Sequence, residues 1–226
     1  MGRMRMDEAD HTRVTAAVAE AEAGTSGEIV TIVAARSDGY EDIALIWAAG
    51  VMLLALACIT AWPPLLTCPI DWLRGGWSHE WSQRELIGWL FVVLSLKFLV
   101  VWLLLRIQPL RNLLTPRRIK AARVRERAVT LFRASAEQRT TGHTGILIYL
   151  SMQEHRAEII ADQAIHSTVT PETWGDAMAA LIDGARAGRP GDGLVEAVQQ
   201  VGAILNQHLP RADDDKNELP DRLIEL

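Results

Sequence analysis

Glu28-Ile29-Val30-Thr31-Ile32-Val33-Ala34-Ala35 is the stretch on which the fold turns. It is apolar and rich in β-branched residues. It has too little polar alternation for a strand that shows one face to water, so it reads as a strand buried on both faces. A lone strand cannot satisfy its own backbone groups and has to pair with another. Its neighbours in sequence offer no partner. Upstream, residues 7–23 place Val14, Ala17, Val18 and Ala21 at helical spacing, and Gly24-Thr25-Ser26-Gly27 ends that amphipathic helix. Downstream, a short loop at 36–40 leads into two long apolar runs.

The first run, Ile43 to Trp62, carries no charge, and the second, Leu86 to Leu105, carries only Lys97. Each has about the 20 residues that a helix needs to cross the hydrocarbon of a bilayer. Neither has the polar stripe of a helix packed on a soluble core. The two predict a transmembrane hairpin, which makes the lipid bilayer the first expected partner. The chain's 8 Trp against 2 Tyr and 3 Phe fit that reading, because indole rings favour the headgroup layer. Trp62 and Trp89 edge the linker at 63–85, which also holds Trp72, Trp77 and Trp81 and is expected to lie on the bilayer surface. Trp47 and Trp102 mark the opposite ends of the spans. Lys97 reads as a side chain that snorkels or pairs rather than as part of an ion pathway.

Charge sets the orientation. Arg106, Arg111, Arg117, Arg118, Lys120, Arg123, Arg125 and Arg127 follow the second span, whereas the linker holds only Arg74 and Arg84. The positive-inside rule puts the basic side, and with it both termini, in the cytoplasm of a bacterial-type inner membrane. No apolar run follows the first residues, so no secretory signal is expected and insertion falls to the internal helices. Cys58 and Cys68 suggest neither a disulfide framework nor a zinc site. The net charge of −5, and the lack of aromatic residues among the basic ones, argue against nucleic acid as a partner.

Beyond the basic stretch, residues 119–138 form a second amphipathic helix and Ile146–Ser151 a second buried strand. A tight turn at 153–155 leads to a hairpin partner, Arg156–Asp162. Thr170 and Pro171 open a helix that Gly188-Arg189-Pro190-Gly191 stops, and Asp192 can cap a last helix at 194–209. The lone strand at 28–35 must therefore pair with 146–150 or 156–162. The hairpin then becomes an insertion within one α/β domain: residues 1–42 open the domain, 43–105 hold the hairpin, 106–208 complete the domain, and 209–226 form a polar tail. The tail contains Asp213-Asp214-Asp215 and ends in an apolar stretch whose docking the sequence leaves open.

Thr25-Ser26-Gly27-Glu28-Ile29-Val30, Thr144 to Ser151 and Arg156 to Asp162 together resemble the TPM domain family, as do the helix pair at 171–208 and its Gly-Asp-Gly element at 191–193. The similarity covers roughly 10–36 and 120–208. It implies an α/β sandwich with a small central sheet and a membrane-associated accessory or assembly role. Some members of that family are phosphatases or calcium binders. The inserted hairpin and the cytoplasmic placement are departures from the better-known members.

No Gly-rich phosphate loop, GxSxG elbow, HExxH motif or EF-hand loop is present. Polar residues gather instead around the second hairpin: Glu154, His155, Arg156, Glu158, Asp162 and His166. Alternation along a strand puts Arg156, Glu158 and Asp162 on one face, with His166 beyond its end. These four residues are the candidate ligand-binding set. Glu158 and Asp162 are the candidate ligands for a divalent cation such as Ca²⁺. Thr25, Ser26 and Glu28 read as a structural turn. The expectation is an integral membrane accessory protein whose cytoplasmic domain engages another membrane or cytoplasmic protein. The alternative is a membrane-anchored, divalent-ion-dependent phosphatase or hydrolase.

Overall fold

The computed structural model describes residues 6–73, 81–135, 143–211 and 218–226. Trp77, Arg74 and Asp213-Asp214-Asp215, singled out above, lie outside the described residues, as do Thr140-Thr141-Gly142. The chain divides into two compact units, Met1–Asp38 with Arg117–Leu226, and Gly39–Pro116.

The first unit is a mixed α/β fold around a four-stranded sheet whose strands lie in the order Arg156–Ala161 (β3), Gly145–Ser151 (β2), Glu28–Ala34 (β1) and Ile224–Glu225 (β4). α1 (Glu8–Glu22) starts at Asp7, whose side chain accepts from the Asp10 N–H, and leads to β1 (Glu28–Ala34). β1 pairs in parallel with β2 (Gly145–Ser151), Ile29 opposite Ile146 and Val33 opposite Leu150. Of the two partners the sequence offered the lone strand, this is the first. β3 (Arg156–Ala161) returns antiparallel to β2, with Ile148 opposite Ile159.

Side chains alternate across the sheet and build a core on each face. On one face Ile29, Val33, Ile146, Ile148 and Leu150 meet Val14 and Val18 of α1, Leu181 of α8 (Gly175–Arg186), and Leu194, Val198 and Leu205 of α9 (Pro190–His208). On the other, Val30, Ile32, Leu147 and Tyr149 meet Val124, Ala128 and Phe132 of α6 (Arg117–Ser135). Burial on both sides explains why β1 and β2 read as continuous apolar runs.

Several of these elements differ from expectation. The segment after α9 is not simply a polar tail: Ile224–Glu225 form β4, parallel to β1, and Leu219 and Leu223 are buried. Thr170-Pro171 opens a single 3₁₀ turn at Pro171–Trp174 before α8 begins, and the Thr170 hydroxyl meets that of Thr173 rather than a backbone N–H. α9 starts at Pro190, a turn earlier than expected. Asp192 does not cap it but pairs with Arg13 of α1 (2.7 Å) and Arg189 (3.2 Å). The flanking glycines have a packing reason. A Cβ on Gly193 would lie 2.7 Å from the Ala180 carbonyl oxygen, and one on Gly191 would collide with Asp10.

The second unit contains α2 (Glu41–Ala61), α3 (Pro64–Leu73), α4 (Gln83–Leu104) and α5 (Gln108–Leu114). The linker between the spans therefore holds a helix with Pro69 inside it, which its prolines had disguised as loop. α4 opens with a full capping box, Ser82 and Glu85 bonding each other's backbone N–H. α2 and α4 are 21 and 22 residues long, about 32 Å each at 1.5 Å per residue, enough to cross a hydrocarbon core of about 30 Å. Their apolar windows are only 17% and 0% buried, unlike core helices of a soluble protein. Leu53, Leu54, Phe91 and Leu96 point outward, as does Lys97. The Trp47 indole N–H donates to the Leu114 carbonyl (3.3 Å), and Trp62 is exposed. Trp89 is half-buried, and the Trp102 ring lies under the Arg106 guanidinium at 5.1 Å.

Candidate functional site

Arg156 and Glu158 lie on β3, on the face that packs against α6. The Arg156 guanidinium donates to the Arg117 carbonyl (3.2 Å), and Glu158 pairs with Arg125 (3.5 Å). Burial pushes the Glu158 carboxyl above its ordinary range, and Arg125 and Arg156 oppose that shift. Asp162 stands just past the strand. Its backbone N–H still bonds the Gly145 carbonyl, while one carboxylate oxygen caps α7 (Gln163–His166) through the Gln163 N–H at 2.7 Å. The other oxygen is buried without a hydrogen bond, 3.4 Å from the His143 Nδ1. His166 ends α7 with an exposed side chain.

The four candidates therefore form no single site. Strand geometry explains why: residues four apart on one face are about 13 Å apart along the strand, whereas one Ca²⁺ needs all its oxygens within about 2.6 Å. Ile160 also stands between Glu158 and Asp162. A cation bridging these two carboxylates does not fit, and among the described residues no group of three His, Cys, Asp or Glu side chains is placed to hold a metal.

Polar groups gather instead at the two ends of the sheet. At the end where β1 and β2 finish, Glu154 accepts from the Ser37 N–H (3.3 Å) and from the Ser151 hydroxyl, and the Ser37 and Tyr149 hydroxyls meet at 2.9 Å. Burial raises the Tyr149 phenol, and the Ser37 bond opposes that shift. This network ties the end of β1 to the β2–β3 turn, where His155 adopts a left-handed φ of 48°.

At the opposite end, a cavity of about 110 Å³ is lined by Glu22, Thr25, Glu28, Arg211 and Asp221. The Glu28 carboxylate accepts the N–H groups of Glu218 (3.2 Å) and Leu219 (3.1 Å). Glu22 accepts the Ile29 N–H at 2.7 Å. Burial above all, with the negative Glu28 and Asp221, raises the Glu22 carboxyl to about 8 against that bond. The Thr25 hydroxyl donates to the Leu209 carbonyl (2.6 Å) and accepts the Gly27 N–H (3.1 Å), as the reading of a structural turn expected. Sequence reasoning missed this carboxylate cluster. Its one visible signal was Glu28, a carboxylate opening an otherwise apolar strand. Asp221 reaches the cluster only because the tail folds back.

A family model described as the TPM domain matches residues 112–204. The matched span runs from α5 into α9. α1, β1 and β4 lie outside it yet complete the sheet and its cover. Among solved structures, the NMR structure of BA42 protein from the psychrophilic bacterium Bizionia argentinensis aligns with a TM-score of 0.55 at 16% identity, covering 98% of this chain and 95% of that one. That likeness bears on the fold alone, a mixed α/β arrangement. No curated protein matches the chain.

Proposed function

We propose that the protein is a two-pass membrane accessory protein whose TPM domain stands on the basic, cytoplasmic side and engages other proteins there. One observation carries the reading: two bilayer-length helices with outward apolar surfaces are inserted between β1 and α6. Such surfaces in water would drive aggregation, and lipid removes that cost. The polar groups around the sheet support an interaction role over catalysis. They hold strands and turns to one another, and the carboxylates expected to act together are far apart.

The test has two arms. The full chain should stay in the membrane pellet after alkaline carbonate washing. A photo-crosslinking residue at exposed Gln163 should give a reproducible discrete adduct in cells. Release into the wash sinks the anchor, and absence of any adduct from several exposed domain positions sinks the interaction role. Metal-dependent turnover of phosphate esters by the purified chain, lost in Asp162→Ala, would replace this reading with the hydrolase one.

A further inference from the structure

The N-terminal end of α2 and the C-terminal end of α4 enclose a cleft of about 460 Å³, entirely within Gly39–Pro116. That volume lies within the range of ligand pockets. Its walls are of two kinds. Leu45, Phe98 and Leu99 are apolar, and Arg106, Arg111 and Glu41 are charged. Arg106 is held over the Trp102 ring, which fixes its guanidinium at the rim. Arg111 is only 8% exposed, and among the described residues no carboxylate or hydrogen-bond acceptor meets its side chain.

A guanidinium that is largely shielded from solvent, and that lines a cleft with no partner there, favours an anion. The anion has to come with an apolar body, because the same cleft presents leucine and phenylalanine. Two arginines against one glutamate leave the lining with a net charge of +1, which favours a net anionic molecule over a zwitterion. The location narrows the choice further. The cleft sits at the end of the spans from which the basic stretch continues, level with Trp47 and Trp102, the expected interface belt.

We propose that this cleft is a binding site for one anionic phospholipid, its phosphate between Arg106 and Arg111 and its acyl chain along Leu45, Phe98 and Leu99. The inference rests on the membrane reading above, and it goes further. Diffuse attraction of a basic segment to a charged surface needs no cleft and treats all arginines alike. A built site does not.

The full chain, purified in a neutral detergent, is mixed with phosphatidylglycerol or phosphatidylcholine and examined by native mass spectrometry. The expected result is one phosphatidylglycerol retained per chain, with phosphatidylcholine lost at equal concentration. Losing one charge-assisted phosphate contact should weaken retention by roughly tenfold in Arg106→Gln and in Arg111→Gln. Arg118→Gln removes the same charge from an exposed position outside the cleft and should change retention less than about twofold. Arg106 is exposed, so its variant keeps the test decisive if Arg111→Gln does not fold. Equal retention of the two lipids, or an Arg118→Gln loss matching that of Arg106→Gln, overturns the proposal. Incorporation into neutral vesicles is scored separately. A chain that enters them without lipid selectivity loses this inference and keeps its anchor, whereas a chain that does not enter them loses both.

Discussion

Glu22 is the residue whose chemistry departs furthest from the ordinary. Its carboxyl is half-buried beside Glu28 and Asp221, and its pKa stands at about 8. At neutral pH it is largely protonated and can donate to Asp221 while accepting the Ile29 N–H. Because the folded-state pKa lies above the unfolded one, the stability linked to this proton is fully present below the usual glutamate range and is lost as pH rises to about 8. Thermal unfolding should therefore occur at lower temperature at pH 8.5 than at pH 5, and Glu22→Gln should reduce that difference, since an amide accepts the same N–H without ionising. Identical pH dependence in wild type and variant would show that the carboxyl titrates normally. A glutamate at the end of an amphipathic helix looks like any solvated one in sequence. Its environment is created by residues six and nearly two hundred positions away, and no local pattern reports them.

At the scale of elements, two contacts explain features that a linear reading finds but cannot interpret. Gly184 and Gly193 let α8 and α9 cross in backbone contact, since a Cβ on Gly193 would meet the Ala180 carbonyl oxygen at 2.7 Å and the Gly184 Cα at 3.1 Å. Gly193→Ala should destabilise the domain by about 1–3 kcal/mol through overpacking, as read by denaturant unfolding. A change within a few tenths would mean that the helices separate at little cost. β4 is the second case. Deleting residues 218–226 removes buried Leu219 and Leu223, each worth about 1.5–3 kcal/mol, and bares one edge of β1. Lower stability and concentration-dependent aggregation should follow, and an unchanged melting temperature would show that the segment contributes nothing. The helix at 8–22, the two central strands, the hairpin partner at 156–161 and both long apolar helices were legible, because period and length identify them directly. β4 was not: a two-residue strand has no period, and only the free edge of β1 selects it. α3 was hidden by its prolines, and α9 began a turn early because Pro190 suits the first helical position as well as it suits a stop.

Across the whole molecule, the need of one strand for a partner sets the architecture. β1 precedes the hairpin and β2 follows it, and they pair along their full length. Chain continuity within the sheet is thus broken by Gly39–Pro116, a unit that carries the apolar helices. The candidate site was less legible than the fold. Alternation identified residues sharing a strand face, but it says nothing of their spacing along the strand, and the spacing separates Glu158 from Asp162. The polar networks that do form tie β1 to the β2–β3 turn and to the C-terminal segment, long-range contacts that only the folded chain brings together.

A hairpin that crosses the bilayer from a domain on its basic side makes a definite prediction for cysteine accessibility in intact cells. With Cys58 and Cys68 replaced by serine, single cysteines are placed at Gln83, the first residue of α4, and at Gln163, the exposed first residue of α7. A membrane-impermeant maleimide should label Gln83→Cys in intact cells and Gln163→Cys only after permeabilisation. Labelling of Gln163→Cys in intact cells with Gln83→Cys protected, or recovery of both variants in the soluble fraction, would contradict the account.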